Sequence, residues 1–461
     1  MVSGVLRMRQ KLTRQMSIFS VTMRHDIGKE LAVFSEILDA TPKMLDLVYA
    51  DLTRVSRKDT GREGMTAEQV LRCVALKQYR NLSYEELAFH LEDSKSFRAF
   101  ARLEMGQYPS SSSLQENIKP LSEETWEAVH ECLMQYARDT RIENGRKVRI
   151  DSTVVESNIH DPSDSTLLWD GIRVITRWLE EGHTLAPRPD YRYCDHCRVV
   201  KKRLMVVLNA KKEEDRISAY RDMTHYAGKV VGYAKAAIPA LQAYQAAGLG
   251  DLLAAMNLAA QLKRAVGLLE KVISQTERRV FNNEKVPVSE KVVSFFEDHT
   301  DIIVKKRRET QFGHKIFLTG GKSNLILDCL IARGNPADSD QYIPMLERHR
   351  KTFGKTPRQV SADGGFASKD NLTTAKGLKV KDVVFAKKRG LSVIDMAKSS
   401  WVYKKLRNFR AGIEANISTL KRTFGLDRCT WKGWEGFKQY VWSSIFAYNL
   451  QVIARIKLEA A

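Results

Sequence analysis

Three acids stand where carboxylate chemistry is possible. Asp151 lies in Val148-Arg-Ile-Asp-Ser-Thr-Val-Val155, and Asp363 lies in Ser-Ala-Asp-Gly-Gly-Phe. Glu414 follows 51 residues later, inside an apolar-periodic stretch. Taken singly, each would serve as a solvated or capping residue. The surroundings of Glu414 add to the case. Arg410 precedes it by four residues and Lys421 follows it by seven, so on a helix all three share one face. Ile413, Ile417, Leu420 and Phe424 occupy another face by the same spacing. Such an array can be a surface ion-pair ladder, worth under about 1 kcal/mol per pair. It is also what phosphoryl transfer requires: carboxylates for a hard cation, with neighbouring cations to hold phosphate.

The elements that must position these groups can be read from hydrophobic period. Residues 148–155 are β-branched and bounded by Gly145 and Asn158, which predicts a strand carrying Asp151. Strand patterns resume at Asp301–Lys305, then at Lys315–Thr319 and Leu325–Ala332 as a hairpin through Gly320-Gly321. Another short strand, from Gln359, runs into Asp363. Helices are expected over 338–353, over 408–424 with Gly425 as the stop, and from Glu435 to about Lys457 as a long amphipathic tail. Between the first strand and residue 300 the chain reads as helical. Leu252, Ala255, Ala259, Leu262, Val266, Leu269, Ile273, Thr276 and Val280 form a heptad-like seam there, opposite a helix over roughly 212–246. That seam is core packing and implies no chemistry.

Ahead of the first strand lie short helices. An apolar stripe (Leu31, Phe34, Ile37, Leu38) opens the region. Thr66-Ala-Glu-Gln and Ser83-Tyr-Glu-Glu are helix starts, and Ser94 restarts a helix toward Phe97 and Phe100. Tight polar turns between short helices over about 65–105 resemble a helix-turn-helix. Pro109 and Ser110–Ser113 mark a break before a helix over Ser122–Ala137.

Composition narrows the partners. The chain has 461 residues, with 75 Lys and Arg against 55 Asp and Glu, a formal charge of +20. A 43% hydrophobic share excludes global disorder. The charge predicts attraction to polyanions, nucleic acid first. The longest uncharged stretch, 236–250, falls short of the roughly 20 apolar residues of a membrane span. Arg7, Arg9, Lys11 and Arg14 read as a basic arm without a secretory core. A cytoplasmic chain is expected.

Asp151, Asp363 and Glu414 in this order, with Arg410-x-x-x-Glu414-x6-Lys421, resemble the DDE transposases of bacterial insertion sequences. Leu82-Ser-Tyr-Glu-Glu-Leu-Ala-Phe-His-Leu91 and Phe97-Arg98-x-Phe100 resemble the helical region before the core in such enzymes. The likeness runs from about Met65 to Ala454, and the layout is most similar to the ISNCY group. It implies an α/β fold: an RNase H-like catalytic core (141–160 and 300–430) with a helical, DNA-binding N-terminal region (1–140). A large helical insertion (161–299) would separate the first and second core strands, and a C-terminal helix (431–461) would close the chain. It further implies two Mg²⁺ ions, with Mn²⁺ able to substitute, held by Asp151, Asp363 and Glu414. Arg410 and Lys421 would contact DNA phosphates near the scissile bond. The implied partners are double-stranded DNA, as terminal inverted repeats and target, and further copies of the chain, as a dimer or higher assembly on paired ends at the nucleoid. The hairpin-forming branch of the family has Tyr, two residues, then Arg; here Arg407 takes the Tyr position, and the nearest tyrosine is Tyr403. That branch carries a β-rich insertion, whereas this one reads as helical, so the route of second-strand cleavage stays open.

Other candidates have plainer readings. Cys194 and Cys197 sit in Tyr-Cys-Asp-His-Cys, but a structural zinc site wants a second such pair, which Cys73, Cys132, Cys329 and Cys429 do not provide. His160, His196 and His314 have no metal-site spacing. Glu156, at odd spacing from Asp151, belongs to the opposite sheet face. The basic clusters 305–308 and 387–389 suit either solvent or phosphate. Trp431 and Trp434 suit either packing of the last helix or stacking on an unpaired base. Two functions from different classes follow: an active transposase, or a DNA-binding protein that keeps the fold without the chemistry. A stand-alone metal-dependent nuclease would share the site but not need the large helical regions.

Overall fold

The computed structural model describes residues 11–12, 25–55, 64–245, 248–305 and 309–460. Arg7, Arg9 and Arg14 of the basic arm, and residues 306–308 of the basic cluster 305–308, lie outside them. The chain divides into two compact units, one of residues 1–158 and 303–461, the other of residues 159–302.

The first unit begins with seven helices: α1 (Asp26–Asp39), α2 (Lys43–Val55), α3 (Ala67–Tyr79), α4 (Tyr84–Asp93), α5 (Lys95–Phe100), α6 (Ser111–Ile118) and α7 (Glu123–Asp139). Their starts follow capping chemistry. Thr66 and Ser83 each close a reciprocal capping box, with Gln69 and Glu86 respectively. The serine run at 110–113, expected as a break, instead starts α6: Ser110 accepts a hydrogen bond from the Ser113 N–H. Every residue of α3 is buried, Glu68, Arg72 and Lys77 included. It is therefore a core helix, and no base-reading face is available on it.

β1 (Lys147–Ser157) carries Asp151. The second unit follows, with α8 (Asp164–Gly182), α9 (Cys197–Asn209), α10 (Glu213–Gln242) and α11 (Leu249–Thr276). Its core forms where the seam residues Ala255, Ala259, Leu262, Val266 and Leu269 meet Leu168, Ile172, Met223 and Val230. The stretch 249–281 is long and apolar enough to cross a membrane by length and composition. Here α11 packs against α8 and α10. This unit has 21 Lys and Arg against 19 Asp and Glu, so nearly all of the chain's +20 belongs to the other unit.

The chain then returns to the sheet with β2 (Asp301–Lys305), β3 (Glu309–Gly320) and β4 (Ile326–Ile331). After α12 (Asp338–Phe353) come β5 (Gln359–Ala362), α13 (Lys369–Gly377) and β6 (Asp382–Phe385). The chain ends with α14 (Val393–Met396), α15 (Ser400–Thr423), β7 (Arg428–Cys429) and α16 (Gly433–Ala460). The strand order is β2-β3-β1-β5-β6, with β4 also on β3 and β7 also on β1. β1 pairs antiparallel with β3 and parallel with β5, and β5 pairs parallel with β6. Helix α15 packs on β1, β5 and β6, while α12 packs on β4 and α13.

Two helices differ from their expected form. α15 starts eight residues before the expected 408, because Ser399 caps it and Val402, Tyr403 and Leu406 bury its first turns. α16 is not amphipathic: Phe437 and then Gln439 through Gln451 are buried, since α1, α3, α7 and β4 surround it.

Candidate active site

Asp151 and Asp363 come together through strand register. β1 and β5 are parallel neighbours with Arg149 opposite Ser361 and Ile150 opposite Ala362. The next step of that register sets Asp151 beside Asp363, which follows the last residue of β5 and leads into the turn Gly364–Phe366. Side chains two apart share a face, so Arg149 and Asp151 point the same way, toward α15.

Helix α15 brings the third acid, and Arg149 sets its height. This arginine is 4% exposed, and burial depresses its pKa. Its guanidinium donates to the Phe409 carbonyl (3.3 Å) and to the side-chain oxygens of Asn324 (2.6 Å) and Asn416 (3.4 Å). It passes under α15 at Gly412, where a Cβ would stand 1.7 Å from Arg149 Nη1. Only glycine lets the helix lie this close to β1. An arginine between Val148 and Ile150, two residues before Asp151, was the available sequence signal for this role.

With the helix so placed, Arg410 becomes the focus of all three acids. Its Nη1 lies 3.4 Å from Asp151 Oδ2, and its Nη2 lies 3.3 Å from Asp363 Oδ1 and 2.5 Å from Glu414 Oε1. Asp151 is 15% exposed, and Asp363 and Glu414 are progressively more open, at 40% and 61%. Burial raises the Asp151 carboxyl to about 6, and the like charges of Asp363 and Glu414 push the same way. The Ser152 N–H (2.8 Å) and Arg410 oppose that rise without cancelling it. A partly desolvated acid beside two other acids demands a cation.

Lys421 lies elsewhere. Its ammonium pairs with Asp427 at 3.2 Å. Eleven residues of helix separate it from Arg410, about 16 Å at 1.5 Å per residue. Glu156 pairs with Arg428 at the far end of β1. His160 lies 3.6 Å from Asp170, His314 is fully buried against Trp434 and Phe437, and His196 rests on Tyr226 and Tyr233. Cys194 and Cys197 are free thiols.

A further acid was missed by sequence reasoning. Asp338, the first residue of α12, pairs with Lys315 (2.6 Å) and accepts from the Ser152 hydroxyl (3.2 Å). It also backs the turn after Asp363, since a Cβ on Gly365 would stand 2.3 Å from Asp338 Oδ2. Its position at a helix start was legible; that the helix aims at this turn was not. Lys387, from the cluster 387–389, packs its side-chain stem on Gly364.

The donor set suits hard divalent cations, being all carboxylate oxygen and already gathered on one cation. The gathering is done by Arg410: among the described residues no three His, Cys, Asp or Glu side chains are close enough to share an ion directly.

A mixed sheet with antiparallel strands on one side of β1 and parallel strands on the other, carrying acids on β1, after β5 and on a crossing helix, defines a class of phosphoryl-transfer fold. Two family models match the chain, a Transposase DDE domain over residues 298–450 and a Transposase domain (DUF772) over residues 22–119. The chain belongs to the DDE transposases of insertion sequences, and its sheet is accordingly an RNase H-like core. The first match includes Asp363, Arg410, Glu414 and Lys421 and begins after the strand of Asp151. No curated protein and no solved structure matches the chain.

Proposed function

We propose that this chain is an active transposase that cuts DNA at the ends of its own element and joins the 3′-ends to target DNA. The observation that supports this most is the meeting of Asp151, Asp363 and Glu414 on a single guanidinium, from three separate elements. Family membership supplies DNA as the substrate and divalent metal as the usual cofactor; two Mg²⁺ ions, replaceable by Mn²⁺, are our assignment. Bound at these carboxylates, such ions supply activation of water or a 3′-hydroxyl and stabilisation of the leaving oxygen.

The chain's own residues do the rest. Asp151 is the most enclosed of the three acids, carried in a strand and accepting from the Ser152 N–H. Glu414 is the most open and adjusts. Arg149 and Gly412 hold the height of the helix that presents Glu414. Arg410 is the cation nearest to where a scissile phosphate would lie. Lys421, about 16 Å farther along α15, serves a phosphate about five nucleotides away, at 3.4 Å per nucleotide of one strand. Exposed Lys404 and Arg407 on the same helix extend the cationic track. We assign the N-terminal helices to recognition of the element's ends and the nearly neutral 159–302 unit to holding the assembly, a dimer or larger on paired ends, in the cytoplasm at the nucleoid.

The position of Arg410 favours one second reading, a DNA-binding protein that never takes up metal, because a cation already occupies the focus. The two are separated by incubating the full chain with DNA carrying the element's ends and Mg²⁺ or Mn²⁺. Cleavage by the native chain, lost in Asp151→Ala with DNA binding retained, is expected. Specific binding without cleavage in either metal would establish the second reading.

A further inference from the structure

A second site lies away from the carboxylates, where the N-terminal helices meet the segment between β7 and α16. It is a cleft of about 730 Å³, within the range of small-ligand pockets. Three helices begin on it: Tyr84 opens α4, Ser111 opens α6, Gly433 opens α16, and all three line the wall. First-turn N–H groups have no intrahelical acceptor, so the positive ends of three helices converge here. Helix α6 has no acid in its first turn to neutralise its end.

Lysines add charge. Lys77, Lys119 and Lys432 line the cleft. Lys77 is only 4% exposed, and among the described residues it makes no ion pair with a carboxylate. Its ammonium donates to the Leu82 carbonyl (2.7 Å) and lies over the rings of Tyr84 (4.8 Å) and Trp431 (5.8 Å). This buried ammonium has no close ion pair, and the more distant Glu86 offsets its charge only in part. Three carboxylates stand against an anion here: exposed Glu85 and Glu86 in the first turn of α4, and Glu435, which is paired with Lys438 at 2.9 Å.

The wall is also aromatic. Tyr84 and Trp431 stack with centroids 6.3 Å apart and planes 23° apart, and Trp434 lines the same cleft. Behind that wall two polar atoms closed off from solvent lack any partner, the donor Trp431 Nε1 and the acceptor Gln439 Oε1, the latter on a side chain 6% exposed. Helix starts, lysines and flat rings gathered on one wall suit a phosphate joined to a heterocycle.

We propose that this cleft binds a nucleotide: its phosphate at the starts of α4 and α6 with Lys77 and Lys119, its base along the Tyr84–Trp431 wall. The inference rests on the transposase reading for the source of that nucleotide, an unpaired residue of the DNA held at the active site. The distance agrees with such a source. β7, which leads directly into the cleft segment, pairs with Glu156 and Ser157 of β1, five and six residues past Asp151, about 17–20 Å along the strand at 3.3 Å per residue. One DNA strand covers that in about five to six nucleotides.

The test uses the full chain in EDTA, so that no cleavage intervenes. Anisotropy is measured with a labelled blunt duplex and with the same duplex bearing a six-nucleotide single-stranded extension. The native chain is expected to prefer the extended DNA by about tenfold, the range of one stacked base. The double variant Lys119→Glu, Lys432→Glu changes two exposed side chains and should melt as the native chain does. It is expected to lose that preference while its affinity for the blunt duplex changes less than threefold. Deoxyadenosine monophosphate and inorganic phosphate serve as competitors. Tight binding of the mononucleotide, lost in the variant, with no preference for extended DNA, retains the site and assigns it to free nucleotide. Equal competition by phosphate alone overturns the nucleotide assignment, as does equal weakening of both DNAs by the variant or no weakening of either. Failure of cleavage at Asp151 leaves this result unaffected, so the two readings fail separately.

Discussion

Asp151→Asn is expected to stabilise the metal-free protein while abolishing its chemistry. Burial and two neighbouring acids raise the Asp151 carboxyl from 3.8 to about 6. The folded state thus holds this proton more tightly than the unfolded chain does. The group's contribution to stability is complete below pH 3.8 and is lost as pH rises through about 6. A rise of about two units corresponds to about 3 kcal/mol of cost at pH 8. Asn keeps the shape and can still accept the Ser152 N–H, but it forfeits the charge facing Arg410. Allowing for that loss, a gain of about 1–2 kcal/mol at pH 8 and nearly none at pH 4 is expected. The assay is urea unfolding of both chains in EDTA at several pH values. Adding Mg²⁺ at pH 8 should then stabilise the native chain more than the variant, because binding to the folded state alone adds stability. An Asn variant less stable than the native chain at pH 8, or equally shifted at pH 4 and 8, would refute the assignment of Asp151 as a desolvated, cation-demanding acid.

Three further perturbations follow. Gly412→Ala drives a methyl into Arg149 and should cost about 2–3 kcal/mol in urea unfolding; Gly232→Ala, where a Cβ meets nothing within 4 Å, should be neutral or gain up to about 1 kcal/mol. Equal effects at the two glycines would remove the argument for close approach of α15. Arg410→Gln leaves the three acids without their shared cation, so strand cleavage should fall at least a hundredfold, and folding should weaken more at pH 8 than at pH 5; a pH-independent loss of stability would contradict the role of Arg410 as their common counter-ion. Lys421→Ala breaks an exposed pair worth under about 1 kcal/mol, so its melt should hardly move, while the slope of log binding constant against log salt should fall in magnitude by about one. An unchanged salt slope would show that Lys421 contacts no phosphate.

Local signals carried much of the fold, and the misses have identifiable causes. The strand of Asp151 was legible because β-branched residues alternate there between clear breaks, and α12 was readable at 338–353 from its amphipathic period. Helix α6 was hidden because serine serves equally as a turn residue and as a cap; only the packing of Leu114 and Ile118 decides between them. β6, four buried residues, is too short for any period to register. α16 was misread because its polar residues Gln439, Ser443, Ser444, Asn449 and Gln451 look like a solvent face. They are buried, and hydrogen bonds account for several of them: Asn449 bonds the backbone of Ile326, Gln78 donates to Ser443 and Gln451 donates to Glu30.

The sequence by itself determined which groups were available: three carboxylates in order, Arg410 and Glu414 one helical turn apart, and a basic chain suited to a polyanion. These depend on residue type and short-range spacing, which chemistry and helical period make readable. Tertiary structure decided where they meet. The register of β1 with β5 puts Asp151 beside Asp363 across more than two hundred residues of chain. Arg149 beneath Gly412 sets the height of α15, and so makes Arg410 the shared partner of all three acids. Asp338 behind the Asp363 turn and the lysine-lined cleft at Trp431 likewise arise from elements distant in sequence. Such juxtapositions depend on how side chains fill space between elements, and no local period encodes that.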